Sequence, residues 1–260
     1  MIDRVLPLDG IHNFRDYGGY AARGGARLKQ GLLWRSGQHV DATADDLAKV
    51  AAFGLTTVID LRGDTERADF PCARPLGFAA QVLFANGETA DGGHAPHVGV
   101  ARDVVTAADA HAAMLRFYPT MPFRPNLIAV YQMYFSALAE REGPSLLHCL
   151  AGKDRTGVAA ALLHHLLGVH ADDAMADYLL TNDVGNIDRR IAAGALTVRK
   201  SFGPSMQEEA VRTLMGVHPA FLDAAFAAIL EQHGSVEAYA RDELGVDEAR
   251  LEAIKARLLV

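Results

Sequence analysis

Apolar positions in this chain follow two patterns. The first part carries short apolar runs between turn signals, and the last part carries helical periodicity almost without a break. Leu55 to Leu61 (Leu-Thr-Thr-Val-Ile-Asp-Leu) is short, β-branched and apolar, which predicts a buried strand. Arg27 to Trp34, after the turn at Gly24-Gly25, reads as a strand, as do Gln81 to Phe84 and Ser145 to His148. Thr43 to Phe53 predicts a helix, with Thr43 as N-cap, Asp45 and Asp46 in the first turn and Gly54 as the stop. Ala107 to Phe117 is weakly helical, and Pro119, Pro122 and Pro125 then break the chain. Further helices are expected over Asn126 to Glu140 and Arg155 to Leu167, closed by Gly143-Pro144 and Gly168. Helical patterning continues to Leu259, with breaks at Gly185, Gly203-Pro204, Gly216, Pro219, Gly234 and Gly245. The prediction is α/β in front and mainly α behind, around one sheet.

Residues 87–125 stand apart as an irregular insertion. Gly87 to Gly99 holds four glycines, two histidines and a proline, and reads as loop. Long irregular excursions in a compact domain are usually functional or mobile.

Composition changes this picture little. At 260 residues, half of them hydrophobic and 22% charged, the chain suits one substantial core, and a single domain over 1–260 is the expectation. A net charge of −7 argues against broad binding to nucleic acid or anionic membranes, but says nothing about a small basic pocket. Two cysteines, Cys72 and Cys149, are too few for a disulfide framework and suggest a reducing compartment. The N-terminus lacks a signal-like apolar run, and no stretch reaches the roughly 18 apolar residues of a membrane span. A cytoplasmic protein without stable membrane insertion is expected, with secretion by a route lacking a cleavable signal left open. Oligomeric state has no signal in the sequence.

The strongest chemical signal is a strand that ends in Cys149, then five residues, then Arg155 and Thr156 at the start of a helix. A phosphate monoester dianion repels ordinary nucleophiles, so the attacking group should be intrinsically strong and already ionised. A thiolate is both. Helix N-termini and nearby cations favour the thiolate, and Cys149 would have that environment. Main-chain N–H groups of Leu150, Ala151, Gly152, Lys153 and the following residues can turn inward as a nest for phosphate oxygens. Gly152 permits the tight backbone path. Arg155 offers a planar fork for two equatorial oxygens and for the charge that spreads over them. Thr156 is placed to hydrogen-bond the cysteine sulfur. The alternative for Cys149 alone is a buried small hydrophobe, but the eight matching positions from His148 to Gly157 outweigh it.

At these residues a family resemblance becomes specific. His148-Cys-Leu-Ala-Gly-Lys-Asp-Arg-Thr-Gly157 resembles the signature of the protein tyrosine phosphatase superfamily. More narrowly it resembles the microbial tyrosine, dual-specificity and lipid phosphatase branch with Gly-Lys-Asp-Arg in the loop. Asn13-Phe-Arg-Asp-Tyr-Gly-Gly19, Leu33-Trp-Arg-Ser-Gly37 and Val58-Ile-Asp-Leu-Arg62 extend the likeness. The resemblance implies a phosphatase fold with a mostly parallel central sheet flanked by helices. It also implies no metal and no organic cofactor, and a phosphorylated protein or phosphoinositide as substrate. A helical lid over the pocket is expected at 186–215, with ordinary core helices as the alternative. His148 is expected beneath the loop, orienting Cys149.

The leaving oxygen needs a proton, and one carboxyl can supply it and later activate water. No Trp-Pro-Asp occurs, since Trp34 is the one tryptophan. The resemblance assigns the acid role to Asp154, with Asp60, Asp91 and Asp103 as rivals and a helix-start carboxylate as the structural alternative. Lys153 adds a second positive charge, which in the resembled branch goes with phosphoinositide acceptance. Arg15 and Asp16 suggest an ion pair bracing the loop, against a plain structural turn, and Arg35 and Arg62 suggest similar braces. His94 and His97, on a Gly-rich loop, are a poor metal site, and adjacent His164 and His165 face different directions. Cys72 as a redox partner of oxidised Cys149 requires a proximity that sequence does not give. A sulfurtransferase using the same loop, or a phosphate-binding module without turnover, are the competing functions.

Overall fold

The structure, a computed structural model, describes residues 4–89, 104–192 and 206–260. Among the described residues, five strands form one sheet in the order β1-β2-β5-β3-β4, where β1 is Arg15–Asp16, β2 Leu33–Ser36, β3 Thr57–Asp60, β4 Gln81–Leu83 and β5 Ser145–His148. Only the edge pair β1–β2 is antiparallel. The helices are α1 (Ala44–Ala51), α2 (Asp64–Asp69), α3 (Ala107–Phe117), α4 (Pro125–Glu140), α5 (Asp154–Leu166), α6 (Ala171–Leu179) and α7 (Thr181–Val184). They continue as α8 (Glu208–Met215), α9 (Pro219–His233), α10 (Val236–Asp242) and α11 (Glu248–Leu258). Residues 187–192 are also helical.

Several sequence signals act as expected. Thr43 caps α1 in a capping box with Asp46. Pro125 takes the first position of α4, where its missing N–H costs nothing. The stretch from Tyr118 to Phe123 tightens to a 3-10 helix around Pro119 and Pro122. Other expectations shift. The strand foreseen over 27–34 forms only at 33–36, while Arg27 and Leu28 make isolated bridges to Ala21 and Leu259. The polar motif at Asn13, read as an ion-pair brace or a turn, contains the strand β1: Arg15 finds a buried partner in Asp177 of α6, and Asp16 accepts the N–H groups of Gly18 and Gly31.

Strand period sorts the residues at the sheet's end. Side chains alternate between faces, so Leu33, Ile59 and Leu147 join the large core with the helices that follow. Trp34, Val58 and Leu146 join the smaller core with Leu8, Phe14 and Val50 of α1. The same alternation sends Arg35 toward the helical side, and Ser36, Asp60 and His148 toward the α1 side. Central β5 lies between β2 and β3, so its C-terminal end opens at the crossover of the sheet, where ligands of parallel sheets bind. Among the described residues no single helix is long and apolar enough to cross a membrane. The bent pair α8 and α9 meets that test jointly, but Leu214, Phe221 and Ile229 bury its apolar face in the core.

Candidate active site

β5 delivers Cys149, and the chain then turns through residues 150–153 into α5. Cys149 is buried, 2% exposed. Of the main-chain N–H groups from Leu150 to Thr156, only that of Gly152 meets an acceptor among the described residues, and that acceptor is Cys149 Sγ at 3.2 Å. The loop therefore presents a run of uncommitted donors at a helix start, which is an anion site in waiting. Gly152 adopts φ +67°, and a Cβ there would lie 2.4 Å from the Ser36 carbonyl. Only glycine lets the loop press against the end of β2.

The outer side of the loop is tied down. The Gly152 carbonyl accepts Asn13 Nδ2 at 2.8 Å and Arg35 Nη2 at 3.0 Å. Arg35 Nη1 pairs with Asp177 of α6 at 2.5 Å, and Arg15 Nε pairs with the same carboxylate at 3.1 Å. Arg15 also donates to the side chain of Asn13. Burial pushes the Arg15 pKa down to about 10, helped by Arg35 and opposed by Asp177. Burial alone would raise the Asp177 carboxyl, but the two arginines hold it well below the usual carboxylate range. The ion pair expected between Arg15 and Asp16 does not form. Asp16 instead accepts the N–H groups of Gly18 and Gly31 at 2.7 and 2.6 Å, closing a turn.

Arg155 is held from the other flank. Its Nη1 and Nη2 meet Glu66 of α2 at 2.5 and 2.8 Å, and Nη1 also reaches the Leu61 carbonyl and Thr89. The end-on fork expected for phosphate thus closes on Glu66. The Nε–Nη2 edge keeps two N–H groups that engage no partner among the described residues, and that edge is itself a two-donor fork. Burial opposes the Arg155 charge, but Glu66 more than offsets it and the pKa is raised.

Asp154 lies at the start of α5, 6% exposed. Its Oδ1 accepts Tyr118 O–H at 2.6 Å, and Tyr118 meets the Tyr178 hydroxyl at 2.6 Å. Gly157 makes room for this: a Cβ there would lie 2.8 Å from the Tyr178 ring. Lys153 departs from expectation. Its ammonium is buried on the carbonyls of Leu214 and Gly216 at 2.5 and 3.0 Å and lies 3.3 Å from Asp154, so it ties the loop to the end of α8. Burial lowers its pKa, against the pull of Asp154.

His148 sits under the loop, but its Nδ1 lies 3.4 Å from the Cys149 carbonyl oxygen and so orients the backbone rather than the sulfur. Burial lowers its pKa to about 4, so it is neutral at pH 7. Asp60 accepts Arg62 through both oxygens at 2.9 and 2.7 Å. Burial would raise its pKa, but His148 and Arg62 hold it well below the carboxylate range, which suits a brace and not a proton donor. Thr156 Oγ1 is buried with no partner among the described residues, so the expected bond to sulfur is not made. Cys72 accepts the N–H of His39 at 3.4 Å. His164 is bonded to the Tyr17 carbonyl and His165 to Glu237. Asp91, Asp103, His94 and His97 lie outside the described residues, as does part of the 186–215 stretch. No cluster of metal-ligating side chains occurs among the described residues.

Sequence reasoning missed Glu66, Asp177, Tyr118, Tyr178 and the bracing role of Asn13. Asn13 alone carried a hint, as a polar residue inside a motif already singled out. A cavity of about 980 Å³, lined by His111, Asn182, Arg189, Arg212, His218 and Phe221, lies beside the loop, and no residue from Cys149 to Arg155 lines it. The loop, with its uncommitted donors and buried thiol, is the better chemical site.

The profile of the tyrosine phosphatase family matches residues 6–260. A protein of Cupriavidus necator, designated a candidate tyrosine-protein phosphatase, is 36% identical over 250 residues, covering 95% of this chain and 86% of its own. The triple specificity protein phosphatase PtpB of Mycobacterium tuberculosis is 29% identical over 284 residues, covering 98% and 99%. The crystal structure of TpbA from P. aeruginosa aligns at 21% identity over 76% of this chain and 87% of that chain, with a TM-score of 0.32, a distant likeness.

Proposed function

Because the chain belongs to the tyrosine phosphatase family, we propose that it hydrolyses phosphate monoesters through a phosphocysteine at Cys149. The phosphate oxygens sit on the free N–H groups of residues 150–156 and on the Nε–Nη2 edge of Arg155. Cys149 Sγ forms the S–P bond as the ester P–O bond breaks, and Asp154 gives its proton to the leaving oxygen. Water then attacks phosphorus, Asp154 takes the water proton back, and the sulfur leaves with its electron pair. Fixed main-chain donors and Arg155 neutralise the charge that develops on the equatorial oxygens.

The observation that carries this reading is the bond from Gly152 N to Cys149 Sγ within a loop whose other amides are uncommitted. It brings the sulfur within reach of a loop amide, which supports binding of one small anion there. Phosphotyrosine and phosphoserine or phosphothreonine are the proposed protein substrates, in line with the triple specificity named for the mycobacterial relative. Phosphoinositides are a further proposed class, although Lys153 does not support it by facing the loop.

Cys149→Ser tests the mechanism. Turnover of an aryl phosphate should fall at least about a thousandfold, since a serine hydroxyl is a far weaker nucleophile without an activating base. Phosphate binding should persist. Normal turnover in that variant would sink the proposal.

A further inference from the structure

Besides Arg35, whose Nη2 holds the Gly152 carbonyl, three cations lie at the phosphate loop, and they differ in what they hold. Lys153 gives its ammonium to two carbonyls and sits against Asp154. Arg155 gives one edge of its guanidinium to Glu66. Arg190, on the helical segment 187–192, keeps a buried Nη1 with no hydrogen-bond partner among the described residues. A buried guanidinium nitrogen without an acceptor is costly unless a ligand supplies one.

The segment that carries Arg190 is anchored at three points. Asn13 N–H donates to the Val184 carbonyl at 3.1 Å, just before the segment, and Asn13 is the residue that grips Gly152. The Asn186 and His12 side chains meet at 3.1 Å. Asp188 pairs with Arg212 of α8 at 2.6 Å. Arg190 N–H donates to the Asn186 carbonyl at 2.9 Å, which starts the helix there. The segment also packs toward the loop: a Cβ at Gly216 would lie 3.7 Å from Ile187 Cδ1, and the Gly216 carbonyl is the one that holds Lys153. Burial lowers the Arg190 pKa, against the pull of Asp154 and Cys149.

We infer that Arg190 is a second arginine of the phosphate site, donating its free Nη1 to an oxygen of the bound phosphoryl group from the helical side of the pocket. It provides the additional positive charge that the loop lysine, turned to main-chain carbonyls, does not direct at substrate. The inference rests on the phosphatase reading above. An arginine is suited to this because it stays charged when desolvated and offers directed donors.

The probe is inorganic phosphate as a competitive inhibitor of aryl phosphate hydrolysis by the full chain, with Arg190→Gln, Arg190→Lys and Arg189→Gln compared at equal folded fraction. Arg190→Gln should weaken phosphate at least about tenfold, as expected for a lost charge-assisted hydrogen bond. Arg190→Lys should recover most of that loss, because it restores charge on a different frame. Arg189→Gln should stay within about twofold. If Arg190→Gln binds phosphate as the parent does, or if the lysine variant is no better than glutamine at matched stability, the inference is overturned. A parent chain that neither turns over the aryl phosphate nor binds phosphate would overturn the phosphatase reading itself, and the two failures are told apart by the parent alone.

Discussion

Two buried carboxylates, Asp177 and Asp60, lie on opposite faces of the same sheet and teach different lessons. Asp177 gathers Arg15 from β1 and Arg35 from β2 to α6, and through Arg35 it reaches the Gly152 carbonyl of the loop after Cys149. Its partners are more than 140 residues away in sequence. Asp60 pairs with Arg62, two residues on, and the pair secures the end of β3 and the segment at Phe70. The long-range cluster fixes the site, and the local one fixes a strand end. Similar burial and similar ion chemistry thus carry unequal functional weight, because only the Asp177 cluster hydrogen-bonds the Gly152 carbonyl, whereas Asp60 approaches the loop only through His148 at 3.7 Å.

Breaking Asp177 should have the largest effect on that contrast. Asp177→Asn leaves two buried guanidiniums facing each other, which is expected to cost about 3–5 kcal/mol of stability. It should also lower kcat roughly a hundredfold, as the Gly152 carbonyl loses its ordered support. Denaturant unfolding and steady-state kinetics check both. Asp60→Asn should cost about 1–3 kcal/mol, because Arg62 keeps its bond to the Phe70 carbonyl at 2.6 Å. Its kcat should fall less than tenfold. Equal kcat losses in the two variants would remove the distinction.

The smallest expected effect sharpens the Asp60 side. The His148 pKa of about 4 lies below the ordinary 6.5. The unfolded chain therefore takes up that proton first, and stability present at pH 7 is lost as pH falls from about 6.5 through about 4. The loss from this one group should be on the order of 1–3 kcal/mol. A plot of Tm against pH should be flatter for His148→Gln than for the parent in that window. An unchanged slope would mean that His148 does not titrate as its burial implies.

The strand, the loop and the helix that carry Cys149 were legible because each is local: a short apolar run, a glycine at a forced turn, a helix start. The Thr43 cap was legible for the same reason. The braces were not. Glu66 meets Arg155 across 89 positions, and Tyr118 meets Asp154 across 36. No short-range pattern encodes such pairings. Arg15 shows the limit well: sequence adjacency suggested Asp16 as its partner, but successive strand residues point to opposite faces, so the neighbour was the one carboxylate it could not easily use. Lys153 shows the converse, a charge in a functional motif that the fold directs to main-chain carbonyls.

Gly157 bears on how the chemistry could be retuned. The missing methyl lets the Tyr178 ring lie close against α5, and that ring carries the hydroxyl which completes the chain through Tyr118 to Asp154. Clearance at a position with no polar atom in its side chain therefore sets the spacing of two phenols and a carboxyl. With Asp154 as the proposed acid, adding bulk there is expected to slow the departure of a poor alcohol more than the attack by sulfur. The size of one small residue would then be a lever on leaving-group tolerance, separate from the lever on attack.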